Sequence, residues 1–285
     1  MKTILVPTDF SKNAENAMNY AIEFAKKEQA KLILLHVFQI DFSRAYVPFD
    51  IISEERAALT KEAESKLKDL SKKIKEKSGL ICDLLIAEDF IVDAILESVK
   101  AKKADFVIMG TKGATGLSGT LFGSNTAKVI KRAKCPVIAV PLGSSFKPLK
   151  KIAYATDYHH SDISVLKKIV ELVRAFNTQV TILHISDPIM SSETERESMK
   201  AFKADILREI TYSNIFFQLL KADDIERALE EFVANSETDM IIMCMHHHDL
   251  FSKLFGKNIS KQMAYHTKIP LMIFHHAGRT EAVVI

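Results

Sequence analysis

Cysteine is scarce in this chain: 285 residues contain three, Cys82, Cys135 and Cys244. An odd number of widely separated thiols excludes a disulfide framework. Each lies in or beside an apolar run, which points to buried thiols in a reducing compartment. Long hydrophobic runs are also missing. The longest reach about eight residues, as from Cys135 to Leu142, whereas a membrane-spanning helix needs about 20. The N-terminal apolar stretch, Thr3 to Pro7 ahead of Asp9, is too short for a signal peptide. The expectation is therefore a cytoplasmic protein with no membrane partner. An excess of one charge is lacking as well: 39 Lys and Arg stand against 36 Asp and Glu, a net +3. The short basic stretches, such as Lys72, Lys73, Lys75 and Lys77, are mixed with acids and read as solvated helix faces. No concentrated basic face suggests nucleic acid as a partner.

What remains is an ordinary globular composition, 47% hydrophobic and 26% charged, which excludes disordered, collagen-like and fibrous chains. Two residue types are unevenly spread. Five of nine glycines lie between Gly110 and Gly123, and nine of ten histidines lie beyond residue 158.

The chain repeats itself. Lys2-Thr3-Ile4-Leu5-Val6-Pro7-Thr8-Asp9 is echoed by Lys150-Lys151-Ile152-Ala153-Tyr154-Ala155-Thr156-Asp157, an offset of 148 residues that also relates His36 to His184. Ala104–Met109 is echoed by Thr238–Met243, and Pro136 by Pro270, at an offset of 134. The second copy is therefore shorter, with the loss between its second and fourth strands. The boundary falls in Leu142–Pro148, a Gly/Ser/Pro stretch of linker character, giving domains 1–143 and 149–285. Their net charges are +5 to residue 148 and −2 beyond it, so neither is a polyelectrolyte.

Within the first copy, Thr3 to Val6, Leu32 to Phe38, Ile81 to Ile86, Phe106 to Met109 and Val137 to Val140 read as strands. Short continuous apolar runs of this kind suit buried parallel strands. Helices are expected after Ser11 (an N-cap residue followed by Ala14, Met18, Ala21, Ile22 and Ala25 at helical spacing), over about 54–77, 91–102 and 124–133. A loop with Pro48 precedes the long one. The alternation predicts an α/β fold, a doubly wound parallel five-stranded sheet in each of two tandem domains. Ligands of such sheets bind at the carboxyl ends of the strands. Asp9, His36 to Phe38 and the glycine-rich segment all fall there.

That segment runs Gly110-Thr111-Lys112-Gly113-Ala114-Thr115-Gly116-Leu117-Ser118-Gly119-Thr120-Leu121-Phe122-Gly123-Ser124-Asn125. Glycines admit close approach of backbone N–H groups to an anion, and the helix opened by Gly123-Ser124-Asn125 offers unpaired N–H donors. The competing reading is an ordinary flexible loop. The density of glycine between a strand and a helix favours phosphate. It is not a Walker A loop, since no Gly-Lys-Ser/Thr closes it, and it follows the fourth strand, unlike the dinucleotide fingerprint.

Gly110-x2-Gly113-x9-Gly123-Ser124 resembles the G-x2-G-x9-G-(S/T) signature of universal stress proteins. Val6-Pro7-Thr8-Asp9-Phe10-Ser11, Asp105–Gly110 and Cys135–Val140 are similar to that family's first turn, its approach to the loop and its final strand. The resemblance spans almost the whole chain as two copies. It implies an adenine-nucleotide alpha-hydrolase-like fold and a stress-response regulatory protein that binds ATP, or ADP or AMP, often with Mg or Mn. By resemblance the ligand site comprises Pro7, Thr8, Asp9, Val37, Met109, Gly110, Gly113, Gly123, Ser124 and Asn125. Asp9 would contact the adenosine, the backbone at Val37 the adenine, and Gly123, Ser124 and Asn125 the phosphate tail. The competing reading of Asp9 is a turn carboxylate. The family's final strands commonly pair, which implies an intramolecular pseudo-dimer through Val137–Val140 and Leu271–Phe274, or a homodimer.

In the second copy Cys244 stands at the position of Gly110, a histidine at Gly113 and Lys257 at Ser124. Only Gly256 and Asn258 survive. Side chains there remove the close backbone approach, so this half is expected to pair or sense rather than to bind nucleotide. Its histidines offer another chemistry. His159, His160, His184, His246, His247 and His248 fall near the equivalent crevice, and neutral imidazoles suit zinc, nickel or copper, with Cys244 or Asp249 joining. The metal candidates are His159, His184, His246, His247 and His248. The competing readings are a polar loop with a structural His184 mirroring His36, or an anion site using Lys257. No catalytic triad or carboxylate pair stands out, so activity is expected to be at most weak ATP hydrolysis. The alternative is a metal-dependent or slow nucleotide hydrolase using the His-rich crevice.

Overall fold

Four- to eight-residue apolar runs with β-branched residues make the strands, because such side chains pack well on a pleated surface buried on both sides. The computed structural model describes residues 1–40, 48–113, 122–159, 161–186, 192–245 and 268–275. Two compact units result, Met1–Phe146 and Lys147–Ile285.

In the first unit the elements are β1 (Thr3–Pro7), α1 (Lys12–Glu28), β2 (Lys31–Phe38), α2 (Phe49–Ser78), β3 (Cys82–Glu88), α3 (Ile91–Lys102), β4 (Phe106–Gly110), α4 (Ser124–Arg132) and β5 (Val137–Val140). The strands pair in parallel in the order β3-β2-β1-β4-β5. Right-handed crossovers put α1 and α2 on one face and α3 and α4 on the other. Ile4, Leu5, Val6, Leu32 to Leu35, Val107, Ile108 and Val137 to Val140 are all buried. Each such side chain contributes about 1.5–3 kcal/mol on leaving water.

Two helix boundaries follow from local chemistry. Ser11 caps α1, its side chain accepting from the Ala14 N–H, as its position ahead of the apolar periodicity predicts. Helix α2 begins at Phe49, five residues earlier than expected, directly after Pro48 at its N-cap. Proline's fixed φ suits a helix start, and Asp50 in the first turn favours the dipole there. Strand β3 begins at Cys82, leaving Ile81 exposed.

The second unit repeats the plan with β6 (Lys151–Ala155), α5 (Asp162–Val173), β7 (Gln179–Ser186), α6 (Ser192–Glu209), β8 (Ile215–Lys221), α7 (Ile225–Ser236), β9 (Met240–Met245) and β10 (Leu271–His275). Its parallel order is β8-β7-β6-β9-β10. The shortening read from the offsets is largely the difference between α2, 30 residues, and α6, 18 residues.

The stretch after β5 is held, not loose. Pro141 accepts from the Ser144 N–H, and Gly143 sits at φ 82, the left-handed region that a turn of this shape reserves for glycine. The Asn16 amide on α1 donates to the Pro141 and Ser144 carbonyls at 2.9 and 3.1 Å. Phe146 packs edge-on against Tyr20 and Phe24. The linker character expected from Leu142–Pro148 therefore applies to a segment whose first part is bound to the first unit.

All three cysteines are buried. Burial pushes the Cys82 thiol up to about 11 and the Cys135 thiol up to about 12. No helix among the described residues is long and apolar enough to cross a membrane.

Candidate nucleotide crevice

The order of strands reverses between β1 and β4, so their carboxyl ends open a crevice, the usual ligand position in this architecture. Its lining includes all ten residues singled out in the sequence: Pro7, Thr8 and Asp9 after β1, Val37 on β2, Met109 and Gly110 on β4, Gly113, and Gly123, Ser124 and Asn125 at the start of α4. The structure brings these together from four separate stretches. Residues 114–121 of the glycine-rich segment lie outside the described residues.

Asp9 serves two purposes. Its Oδ1 accepts from the Ser11 N–H at 3.0 Å, which shapes the turn into α1. Its Oδ2 lies beside Gly113, where an added Cβ would come within 3.3 Å of it. The turn-forming reading of this residue is an observed contact, and its second oxygen faces the crevice lining.

The glycines differ in what they do. A Cβ on Gly110 would stand 3.0 Å from the Asn13 carbonyl oxygen, closer than side chains pack. Gly110 thus lets the first turn of α1 rest on the end of β4. Gly123 is the N-cap of α4 with extended backbone, and its own N–H donates to the Thr111 carbonyl at 2.7 Å. That N–H is used internally. The groups left to face an anion are the N–H donors of Ser124, Asn125 and Thr126 in the first turn of α4, which have no acceptor within the helix.

Six lining residues were not legible as such: Ala14, Leu35, Ile91, Ile95, Lys112 and Thr126. Ile91 and Ile95 sit one helical turn apart on α3 and give the crevice an apolar wall. Their spacing was visible, but it reads equally as ordinary core. Lys112 supplies a cation inside the glycine-rich segment, where a lone Lys carries no signal by itself.

The corresponding end of the second unit is built differently. Cys244 on β9 is buried at the Gly110 position. His184 Nδ1 donates to the Thr156 carbonyl at 2.6 Å, as His36 Nδ1 does to the Thr8 carbonyl at 2.8 Å. The His184 ring stacks on Tyr158 and His36 on Phe10, with centroids 4.4 and 4.6 Å apart. This shared pairing is a structural feature of both halves. Glu195 on α6 comes within 3.9 Å of His184 Nε2 and is 9% exposed. Burial, with the Glu195 charge adding to it, pushes the Tyr158 phenol up to about 12. His159 is exposed, with Nδ1 2.6 Å from the Ser161 hydroxyl. Among the described residues no group of three His, Cys, Asp or Glu side chains is arranged to hold a metal ion. His160, His246, His247, His248, Asp249 and Lys257 lie outside the described residues.

The universal stress protein family model matches residues 1–141 and again 148–275. This chain belongs to the universal stress protein family, with two family domains in tandem. One universal stress protein of Methanocaldococcus jannaschii is 36% identical over 144 residues, covering 49% of this chain and 81% of that protein. One of Bacillus subtilis is 31% identical over 144 residues, covering 48% and 97%. These relatives correspond in length to one domain of this chain. A crystal structure of a universal stress protein from Archaeoglobus fulgidus matches the tandem fold, with a TM-score of 0.72 over 96% of this chain and 98% of that one at 17% identity.

Proposed function

We propose that the first domain binds an adenine nucleotide, in the first instance ATP, in the crevice at the ends of β1 and β4, and that the protein acts as a nucleotide-responsive regulator. The supporting observation is the composition of that crevice. Glycine backbone and the first turn of α4 form one side, Lys112 supplies a positive charge, and Val37, Ile91 and Ile95 form an apolar wall. A phosphate tail suits the N–H donors and the cation, and a purine suits the wall. A divalent metal bound with the phosphates would find the Ser124 hydroxyl and the Asn125 amide oxygen nearby, with the phosphates supplying most of its ligands. Asp9 is the crevice carboxylate, and its bond to the Ser11 N–H gives it a turn-forming role, so the proposal is binding without turnover.

The second domain, with Cys244 and a buried Asp162 at its corresponding end, is assigned a pairing or sensing role without nucleotide. Buried thiols pushed well above neutral fit a reducing compartment, and the proposal places the protein in the cytoplasm. Calorimetric titration of the full chain with ATP and Mg2+ tests this reading. The expected stoichiometry is one nucleotide per chain, without release of ADP over many equivalents. Two sites per chain, or none, would contradict it.

A further inference from the structure

The crevice has two sides that must be held at a fixed separation, and the segment joining them is long. One side is the end of β4 at Gly110. The other is the first turn of α4. Among the described residues, two cross-ties connect them. The first is the Gly123 N–H to the Thr111 carbonyl, 2.7 Å, made by main chain. The second is made by a side chain: the Thr126 hydroxyl donates to the Gly110 carbonyl at 2.9 Å, and Thr126 is 3% exposed.

We infer that Thr126 is a positioning residue of the phosphate side of the crevice, an inference that rests on the nucleotide reading above. Thr126 is the third residue of α4, so its backbone N–H belongs to the group of donors without helical acceptors. Its hydroxyl reaches back across the crevice to the strand. The bond does two things. It fixes α4's first turn against β4, so the free N–H groups of Ser124 and Asn125 keep their aim. It also occupies the Gly110 carbonyl, an acceptor that would repel a phosphate oxygen if it turned toward the ligand. Gly110 is flexible by composition but boxed in by the Asn13 carbonyl on its other side, so the hydroxyl completes its confinement. The second half agrees: its stretch Gly256-Lys257-Asn258-Ile259 has isoleucine at the Thr126 position. A side chain without a hydroxyl cannot make the tie.

The inference predicts a loss selective for phosphate. In the full chain, Thr126→Val removes the hydroxyl at nearly constant volume and is expected to weaken ATP binding about tenfold, the effect of one lost buried hydrogen bond. Adenosine, which has no phosphate, is expected to bind within about twofold of the native protein, measured by competition against a fluorescent adenine nucleotide. Thr126→Ser restores the hydroxyl and is expected to bind ATP within about threefold of native. Thr126→Ala, which cannot crowd α4, is expected to behave as the valine variant. Native ATP affinity in both hydroxyl-free variants overturns the inference, as does an equal loss of ATP and adenosine, which marks a general structural defect. If the native chain binds neither ligand, the nucleotide reading falls and this inference with it. The two failures are therefore told apart by the native protein.

Discussion

The two domains keep the same turn after their first strand and part company one helical turn later. In both, a threonine hydroxyl accepts from the N–H two residues on: Thr8 from Phe10 at 3.0 Å, Thr156 from Tyr158 at 2.8 Å. In both, that aromatic residue has positive φ, 59 for Phe10 and 61 for Tyr158, and covers the histidine at the end of the second strand. Then α1 starts at Lys12, whereas α5 starts at Asp162. By the 148-residue offset Asp162 corresponds to Ala14, so the second helix begins two residues late. Gly110 gives the reason. It lets α1 bring the Asn13 carbonyl down onto β4, where an added Cβ would stand 3.0 Å from that oxygen, and the second domain carries Cys244 at the same position. The strand-end polar cluster therefore belongs to the fold, and the glycine with the early helix start belongs to the crevice.

The comparison breaks most directly at Gly110. Gly110→Cys gives the first domain the residue of the second. A Cβ 3.0 Å from main chain forces α1 to shift, a crowding that costs about 1–3 kcal/mol. Because Asn13 and Ala14 move with it, nucleotide binding is expected to fall by about 100-fold or more. Denaturant unfolding and ATP titration of the full chain measure both. An unchanged ATP affinity would show that close packing at this glycine is irrelevant to the site.

A narrower exchange is Ala14→Asp. In the second domain the equivalent Asp162 is buried, 2% exposed, and accepts from the Thr156 hydroxyl. In the first domain Thr8 stands ready in the same place, so the carboxylate has a hydrogen-bond donor and the fold is expected to survive. The crevice, however, gains a negative charge. ATP affinity is expected to drop by about tenfold or more, and to recover partly at high salt if the effect is electrostatic. Equal affinity in both proteins would show that a carboxylate at this position does not bear on nucleotide binding.

These exchanges also mark where sequence reading stops. The strands and the alternation were legible because apolar periodicity is a local signal, and the ten candidate residues followed from the family resemblance that the glycine spacing carries. Thr126 and Ala14 were not, since a threonine inside a helix and an alanine on an apolar stripe have unremarkable local chemistry. Thr126's role arises from α4 meeting β4, 16 residues apart in the chain, and Ala14's from its place in the crevice lining. Gly110 was legible as a glycine that mattered, but its reason was not: the neighbour it accommodates is Asn13, known only from the packed structure. The histidines of the second half show the converse, a composition signal in which the described metal candidates, His159 and His184, are engaged by Ser161 and Thr156.

The histidines at the second-strand ends should give equal effects in the two domains. His36→Phe and His184→Phe each remove the donor to a threonine carbonyl while keeping a ring for the stacked aromatic. Each is expected to destabilise its domain by about 1–2 kcal/mol, read as a loss of amide protection in β1 or β6 respectively. A cost confined to His184 would instead point to the buried Glu195 beside its Nε2 and give that histidine a role of its own.

The smallest effect separates the helix starts. Ser11 is a working N-cap: its backbone is extended, and its side chain accepts from the Ala14 N–H at 3.2 Å. Ser161, the N-cap of α5 and by the 148-residue offset the counterpart of Asn13, has helical backbone, φ −63 and ψ −18, and makes no side-chain capping bond. Ser11→Ala is therefore expected to cost the first domain about 1 kcal/mol. Ser161→Ala is expected to cost the second domain a few tenths, within the usual range for an exposed substitution. The Ser11 N–H bond to Asp9 is made by main chain and survives in alanine, so nucleotide affinity is expected to stay within about twofold of native. Equal costs at the two serines would mean that α5 is capped after all, and the late helix start could no longer be traced to Cys244.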